Sequence, residues 1–210
     1  MTIVHLMRHG QVDNPKGVLY ERLPGFHLSE LGLAMVEMTS QFMVDRPLAH
    51  LRCSPLERTR ESMAPTAALF PELPVQLDDA VIEAGNVFAG QVMGSTGAAA
   101  KQPKNWRYLI NPFRPSWGEA YRAIADRMAA AVRQAAAAAA GGEALIVSHQ
   151  LPIWVTRLAS EGRHLWHDPR RRQCTLASVT TFVVEDDRII WRDYVEPARS
   201  LLPDAGRVGF

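Results

Sequence analysis

Short apolar runs alternate with amphipathic stretches along the chain, and the runs predict the strands. One run ends at Arg8, a second spans Leu48 to Cys53, and a third leads from Glu143 into His149. Because segments with helical periodicity separate them, these strands are expected to lie parallel in one sheet. The pattern predicts an α/β protein built on a mostly parallel sheet.

Apolar residues at helical spacing predict the helices of the N-terminal half. Ser29 is expected to cap the first helix, whose buried face would consist of Leu31, Met35, Met38 and Phe42. The sequence Ser54-Pro55-Leu56-Glu57 is typical of a capping box and predicts a second helix start. Ser54 would be the cap, which places Arg58 in the first turn.

The C-terminal half predicts two more helices and a hairpin. A second capping-box pattern covers Ser116 to Glu119, and a last helix is expected after Pro152. The buried stripes would consist of Ile124, Met128 and Val132 in one helix and of Ile153, Trp154 and Leu158 in the other. Runs over Ser178 to Val184 and Arg188 to Val195 predict a hairpin that places an antiparallel strand at the sheet edge.

Composition limits the classes of protein and partner. The 210 residues suit one domain over residues 1–210, and 23 basic against 22 acidic residues give no charge excess that would favour nucleic acid. The two cysteines, Cys53 and Cys174, stand far apart in no ligand spacing, which argues against a cysteine-based zinc site. With no leader pattern and no long apolar run, we expect a cytoplasmic protein that does not associate with membranes.

Cationic and imidazole side chains stand where three predicted elements meet one sheet edge. Arg8 and His9 end the first strand, where Gly10 would allow a sharp turn, Arg58 opens a helix, and His149 ends a late strand. Ligands of open α/β sheets bind beyond the carboxyl ends of the strands. A neutral imidazole can attack phosphorus, and a guanidinium can hold two phosphate oxygens. The pattern indicates a phosphate site, although any single residue could be structural.

The irregular segment Val12 to His27 is long for a loop in a small domain, and such loops are often functional. Four of its side chains could contact a ligand: Asn14, Lys16, Tyr20 and Arg22. Taken individually, each of them is better explained as a solvated loop residue.

Together, the Arg8-His9-Gly10 opening, the helix start Ser54 to Arg58 and the strand ending Ser148-His149 resemble the histidine phosphatase superfamily, also called phosphoglycerate mutase-like. The resemblance spans nearly the whole chain in the family's order. It implies a three-layer α/β/α fold and a phosphohistidine intermediate. Carried over residue by residue, it implies His9 as nucleophile, Arg8 and Arg58 as phosphate clamp, His149 as second pocket histidine and Glu83 as acid/base carboxylate.

Glu83 follows the apolar pair Val81-Ile82 and precedes Ala84-Gly85, which indicates a partly buried strand end or turn. The chain also departs from the family pattern. Gln11 stands where many members carry glutamate, Gln150 follows the second histidine where glycine is common, and the segment after Glu83 is unusual. These positions flank the reacting groups, so they affect the expected substrate preference more than the expected chemistry.

Two segments have less certain roles. Residues 84–117 could form a lid that determines substrate specificity or a small satellite core, and they contain the basic and aromatic residues Lys101, Lys104, Trp106, Arg107, Tyr108, Phe113, Arg114 and Trp117. The basic stretch Arg163 to Arg172 is expected to be a solvated face, with RNA, an acidic substrate tail or a partner subunit as alternatives. Its His164, His167 and Asp168 are only a weak metal-binding pattern, and we expect no metal.

We expect a metal-independent and cofactor-independent phosphomonoesterase that acts on a small phosphorylated metabolite. Neutral His9 would attack phosphorus, and protonated Glu83 would donate to the leaving alkoxide and then activate water. One alternative is a phosphoglycerate mutase-type enzyme, which re-donates the phosphoryl group. Another is a non-catalytic module that binds a phospholigand or nucleic acid. The sequence leaves the natural substrate and the formation of a homodimer open.

Overall fold

A computed structural model of the protein describes residues 1–92 and 118–202. Within these ranges the chain forms six strands and four helices longer than one turn. In chain order they are β1 (Thr2–Arg8), α1 (Glu30–Met43), β2 (Leu48–Cys53), α2 (Glu57–Leu69), β3 (Val75–Leu77), α3 (Tyr121–Ala138), β4 (Glu143–Ser148), α4 (Gln150–Ser160), β5 (Val179–Glu185) and β6 (Arg188–Val195).

All six strands form one sheet with the order β3-β2-β4-β1-β5-β6. Strands β1 to β4 are parallel, β5 pairs antiparallel with β1, and β6 pairs antiparallel with β5. This confirms the mostly parallel sheet and the closing hairpin. The strand that runs against the others is β5, one position in from the edge that β6 forms.

Helices cover both faces of the sheet, because the buried strands alternate their side chains between two cores. In β4, Ile146 faces the core that contains Ile124 and Met128 of α3. Leu145 faces the opposite core, with Met35 of α1 and Met63 of α2. The three-layer α/β/α fold is therefore confirmed, and so is the buried stripe of α3.

Helix α1 begins as expected but buries a different face. The Ser29 hydroxyl accepts a hydrogen bond from the Gly32 amide at 3.0 Å, which confirms the cap. Met35 is buried, but Met38 is 38% exposed and Phe42 is 37% exposed, while Leu31 is only partly buried, so the expected face was wrong. The residues that α1 does bury are Gly32, Met35, Val36, Thr39, Ser40 and Met43.

A close glycine contact explains this rotation of α1. A Cβ atom at Gly32 would lie 2.0 Å from the Gln11 carbonyl oxygen, and one at Gly10 would lie 2.5 Å from the Gly32 carbonyl oxygen. Gly10 is therefore needed for the approach of α1 to the end of β1, not for a left-handed turn. Gln11 contributes to the same junction, since its side-chain oxygen accepts from the Ser29 hydroxyl at 2.8 Å.

Both predicted capping boxes were wrong. Helix α2 begins at Glu57 after Leu56, which makes no side-chain cap, and Ser54 binds a different partner described below. Helix α3 begins at Tyr121, and the Glu119 carboxylate pairs with Arg127 at 2.8 Å instead of capping it. Ser116 lies outside the described residues.

Helix α4 begins at Gln150, directly after His149 and two residues before Pro152. Its Ile153, Trp154 and Leu158 are buried, as the spacing predicted. Within residues 1–92 and 118–202, no helix is long and apolar enough to cross a bilayer. Most of the segment 84–117, including all of its expected basic and aromatic contacts, lies outside these ranges.

Candidate active site

The parallel pairing of β1 with β4 brings two histidines together at the carboxyl edge of the sheet. Arg8 lies opposite Ser148 in the register, and the His9 amide donates to the Ser148 carbonyl at 3.2 Å. The rings of His9 and His149 are consequently 5.3 Å apart between centroids, and both side chains are buried. The register places the two predicted site histidines next to each other.

His9 is held in one tautomer and kept uncharged. Its Nδ1–H donates to the Gly10 carbonyl at 2.8 Å, which leaves the lone pair on Nε2. Burial lowers the pKa of His9 well below its ordinary 6.5, and the charges of Arg58 and Arg8 lower it further. A neutral imidazole with a free Nε2 lone pair is the form that can act as a nucleophile.

Arg58 is a fully buried guanidinium in the first turn of α2. Its Nη2 donates to the Glu21 carbonyl and, at 3.3 Å, to His149 Nδ1. Among the described residues its Nε and Nη1 have no hydrogen-bond partner. The Tyr20 ring lies 4.7 Å from the guanidinium carbon. Buried donors without partners are costly unless an anion binds there.

Arg8 is a second buried arginine whose charge acts on the two histidines. Its Nη1 donates to the Cys174 carbonyl at 2.7 Å, and the side chain is buried. After burial and Arg58, the positive charge of Arg8 is a further cause of the lowered pKa values of His9 and His149. The two arginines therefore lie close to both imidazoles.

His149 links Arg58 to Ser54, a residue whose role the sequence did not indicate. Because arginine only donates, His149 Nδ1 accepts from Arg58, and its Nε2–H donates to the Ser54 hydroxyl at 2.8 Å. Burial, Arg58 and His9 together hold the pKa of His149 well below 6.5. In this arrangement neutral His149 positions Arg58, and Ser54 fixes the His149 ring.

Glu83 follows a single helical turn, Asp79–Val81, and is anchored through the backbone around it. Ser148 Oγ donates to the Val81 carbonyl at 2.7 Å, and Arg22 Nε donates to the Glu83 carbonyl at 2.6 Å. Glu83 is partly buried, as expected, but it lies in irregular backbone after that turn and not at a strand end or in a turn. Burial raises the pKa of Glu83, while the Ala84 amide and the nearby arginines oppose the rise.

A second carboxyl, Glu21, accompanies Glu83. Its φ of 39° is unusual for a residue other than glycine, and its carbonyl accepts from Arg58. Its Oε1 accepts from Asn86 Nδ2 at 3.4 Å. Burial raises the pKa of Glu21 to about 8, and the charge of Glu83 adds to the effect. Glu21 was missed because its neighbours in sequence read as an ordinary polar loop.

The four loop residues that could contact a ligand have separate positions, and Lys16 is exposed. Tyr20 is buried with its ring 6.4 Å from that of His9, so it lies within the site. Arg22 donates to the backbone carbonyl of Glu83 and also forms an ion pair with Glu119 at 2.8 Å. Asn14 closes its own loop, since its Nδ2 donates to the Val18 carbonyl at 2.8 Å and its Oδ1 accepts from the Val18 amide. Its side chain is therefore occupied within the loop.

In the basic stretch, His167 and Asp168 of the weak metal-binding pattern contact other groups of the protein. His167 Nδ1–H donates to the Leu165 carbonyl at 2.7 Å, and its Nε2 accepts from Arg172 at 2.9 Å. Asp168 caps a short helical turn and pairs with Arg170. No group of three or more histidine, cysteine, aspartate or glutamate side chains in the described ranges could hold a metal ion.

The fold and the site together define an α/β enzyme of the phosphatase or phosphoryl-transfer class. Residues 4–196 match the sequence model of the histidine phosphatase superfamily (branch 1), and the chain belongs to that superfamily.

The chain is also similar to individual known proteins in sequence or in fold. The chain is 48% identical over 197 residues to the uncharacterised protein Rv0525 of Mycobacterium tuberculosis, covering 94% of this chain and 97% of the relative. Its fold is similar to Bacillus stearothermophilus YhfR, with a TM-score of 0.75, 20% identity and coverage of 91% and 95% of the two chains. It is also similar to mycobacterial glucosyl-3-phosphoglycerate phosphatase Rv2419c, with a TM-score of 0.74, 21% identity and coverage of 91% and 97%.

Proposed function

We propose that the protein is a phosphomonoesterase that works through a phosphohistidine on His9 and needs no metal ion. The observation that carries the proposal is that the Gly10 carbonyl accepts from His9 Nδ1–H, so that Nε2 keeps its lone pair, in the electrostatic field of Arg58. Among the described residues, Nε and Nη1 of Arg58 have no hydrogen-bond partner. Arg8 and Arg58 supply the positive charge that the equatorial phosphate oxygens require. His149 contributes by holding Arg58 in place.

The reaction would take place in two displacements. His9 Nε2 attacks phosphorus, the ester P–O bond breaks, and protonated Glu83 donates its proton to the leaving alkoxide. The Glu83 carboxylate then removes a proton from water, which attacks phosphorus and breaks the P–N bond. Inorganic phosphate leaves, and His9 and Glu83 return to their starting states. The raised pKa of Glu83 supports the first donation.

Hydrolysis is preferred to mutase chemistry. The fold is similar to that of a glucosyl-3-phosphoglycerate phosphatase, and that name describes hydrolysis of a phosphomonoester. In a mutase the phosphoryl group would return to a bound product instead of water. The natural substrate would be a small phosphorylated metabolite.

The test is hydrolysis of 4-nitrophenyl phosphate in EDTA by wild type and His9→Ala, with His164→Ala as control because His164 is an exposed histidine. We expect turnover in wild type and the control, and none in His9→Ala. Arg58→Ala is expected to lose on the order of 10² to 10³ in kcat, the usual effect of removing one transition-state donor.

Near-normal activity of His9→Ala would refute the phosphohistidine route. Activity lost in EDTA and restored by a divalent cation would refute metal independence. Isomerisation of a phosphoglycerate without phosphate release would point to the mutase, and ligand binding without any turnover would point to a binding module.

A further inference from the structure

The basic stretch Arg163 to Arg172 turns its last arginine inward, which corrects the expectation of a solvated face for that residue. Arg172 is partly buried, whereas Arg170 and Arg171 are exposed. Its Nε donates to His167 Nε2 at 2.9 Å, and its Nη1 donates to Gln150 Oε1 at 3.2 Å. Gln150 is one of the positions where the chain departs from the family pattern.

Both groups that hold Arg172 are uncharged. His167 donates its Nδ1–H to the Leu165 carbonyl, so its Nε2 is an acceptor, and burial lowers the pKa of His167 to about 4. Gln150 is neutral. In the part of the chain that the structure describes, no carboxylate forms an ion pair with Arg172, and its Nη2 has no hydrogen-bond partner. The guanidinium is thus fixed in position by neutral groups, and the charge of Glu83 acts on it without a direct ion pair.

Hydrogen bonds connect Arg172 to residues of the candidate active site. The Cys174 carbonyl accepts from Arg8 Nη1 at 2.7 Å and from Gln150 Nε2 at 3.4 Å, so one carbonyl connects Arg8 to the residue that holds Arg172. The charge of Arg172 also acts on both site carboxyls, Glu83 and Glu21. If Glu83 protonates the leaving group, as proposed, Arg172 would act on the leaving-group side of the site.

The described residues bring three guanidinium groups to this site, from Arg8, Arg58 and Arg172, whereas a phosphomonoester dianion carries two negative charges. In the proposed first step Glu83 is protonated, so it would not offset the charge of Arg172. A partly buried cation without an ion-pair partner is favourable where a ligand supplies an anion.

We propose that Arg172 binds a second anionic group, a carboxylate or a second phosphate, on the alcohol portion of the substrate. The preferred substrates are then phosphomonoesters of acidic alcohols. The inference rests on the proposed function, since it assigns the leaving-group side of that same site.

The experiment compares three ligands with one three-carbon skeleton: 3-phosphoglycerate, glycerol 1,3-bisphosphate and glycerol 3-phosphate, which lacks the second anion. Arg172→Gln is expected to lose about 10- to 100-fold in kcat/KM with the acidic substrates, and less than about threefold with glycerol 3-phosphate. The matched control is Arg171→Gln, which removes the same charge from an exposed neighbour and should change neither value. The two acidic compounds distinguish a carboxylate from a phosphate preference.

A binding measurement separates this inference from the proposed function. Calorimetry with His9→Ala should show tighter binding of an acidic ligand than of glycerol 3-phosphate, and His9→Ala/Arg172→Gln should lose that preference. Binding preference without turnover in wild type would refute the phosphatase while supporting the role of Arg172. Equal losses with all three ligands, or no preference in the parent protein, would overturn the role of Arg172.

Discussion

At the scale of single residues, the chemistry depends on keeping imidazoles neutral beside cations. His9 and His149 would repel Arg8 and Arg58 if they were protonated, and burial adds to the same effect. The Gly10 carbonyl then decides which nitrogen of His9 carries the proton. In the proposed mechanism the cationic side chains would serve two purposes, because they would attract phosphate and hold His9 in its neutral form.

The proposed mechanism predicts the pH dependence of kcat/KM, which reports the ionisation of the free enzyme. His9 would have to be deprotonated, so kcat/KM rises as pH increases through its lowered pKa, which places the acid limb below 6.5. Glu83 would have to be protonated, so kcat/KM falls as pH increases through its raised pKa. We expect a bell-shaped profile after correction for the separately titrated ionisation of the free phosphoester. An acid limb at or above pH 6.5, or an alkaline limb that survives in Glu83→Gln, would contradict these assignments.

The sequence predicted the residues that end strands and missed those that act through tertiary contacts. Arg8, His9 and His149 could be predicted because parallel strands place their carboxyl ends at one edge of the sheet. Ser54 was assigned to a helix cap, since nothing local shows that His149 competes for its hydroxyl. Arg172 was grouped with its exposed neighbours because its inward direction depends on His167 and Gln150.

At the scale of elements, existence and order were predictable, while helix starts and faces were not. Strand β2 and the strand ends at Arg8 and Ser148 match the expected positions, because buried strands read as short apolar runs. Helix α2 starts later than predicted because the Ser54 hydroxyl binds His149 instead of capping the helix. The buried face of α1 differs from the predicted one because Gly32 allows closer contact with the Gln11 backbone than any apolar side chain on the expected face.

The junction between β1 and α1 can be tested at Gly32. We expect Gly32→Ala to destabilise the protein by about 2–4 kcal/mol, even though alanine favours helix, because its Cβ would lie 2.0 Å from the Gln11 carbonyl oxygen. The measurement is the urea midpoint. Leu33→Ala, at the exposed neighbouring position, is the control and should change stability by less than about 0.5 kcal/mol. Equal stability of Gly32→Ala and wild type would mean that β1 and α1 do not pack this closely.

At the scale of the whole molecule, the fold lowers the pKa of five of its seven histidines, and three of these five are buried. His5, in the central strand β1, places its ring between Glu143 at 2.7 Å and Thr181 at 3.0 Å, yet burial outweighs Glu143 and lowers the pKa of His5. The pKa values of His9, His50, His149 and His167 are also lowered, with burial as the largest cause. The exposed His27 is the exception, because its bond to Glu61 raises its pKa.

These shifts predict two opposing contributions to the pH dependence of stability. Below pH 6.5 the unfolded chain binds protons that the five histidines with lowered pKa values do not bind, so their contribution to the free energy of unfolding falls as pH decreases. Glu21 and Glu83 act in the opposite direction, because the unfolded carboxyls lose their protons from about pH 4.5 while the folded chain retains them, up to about pH 8 for Glu21. Urea midpoints from pH 4.5 to 8.5 measure the sum of the two contributions. Glu21→Gln should remove the carboxyl contribution of that residue, so that its stability relative to wild type increases as pH rises from 4.5 to 8. A difference between the two proteins that did not change with pH would contradict the raised pKa of Glu21.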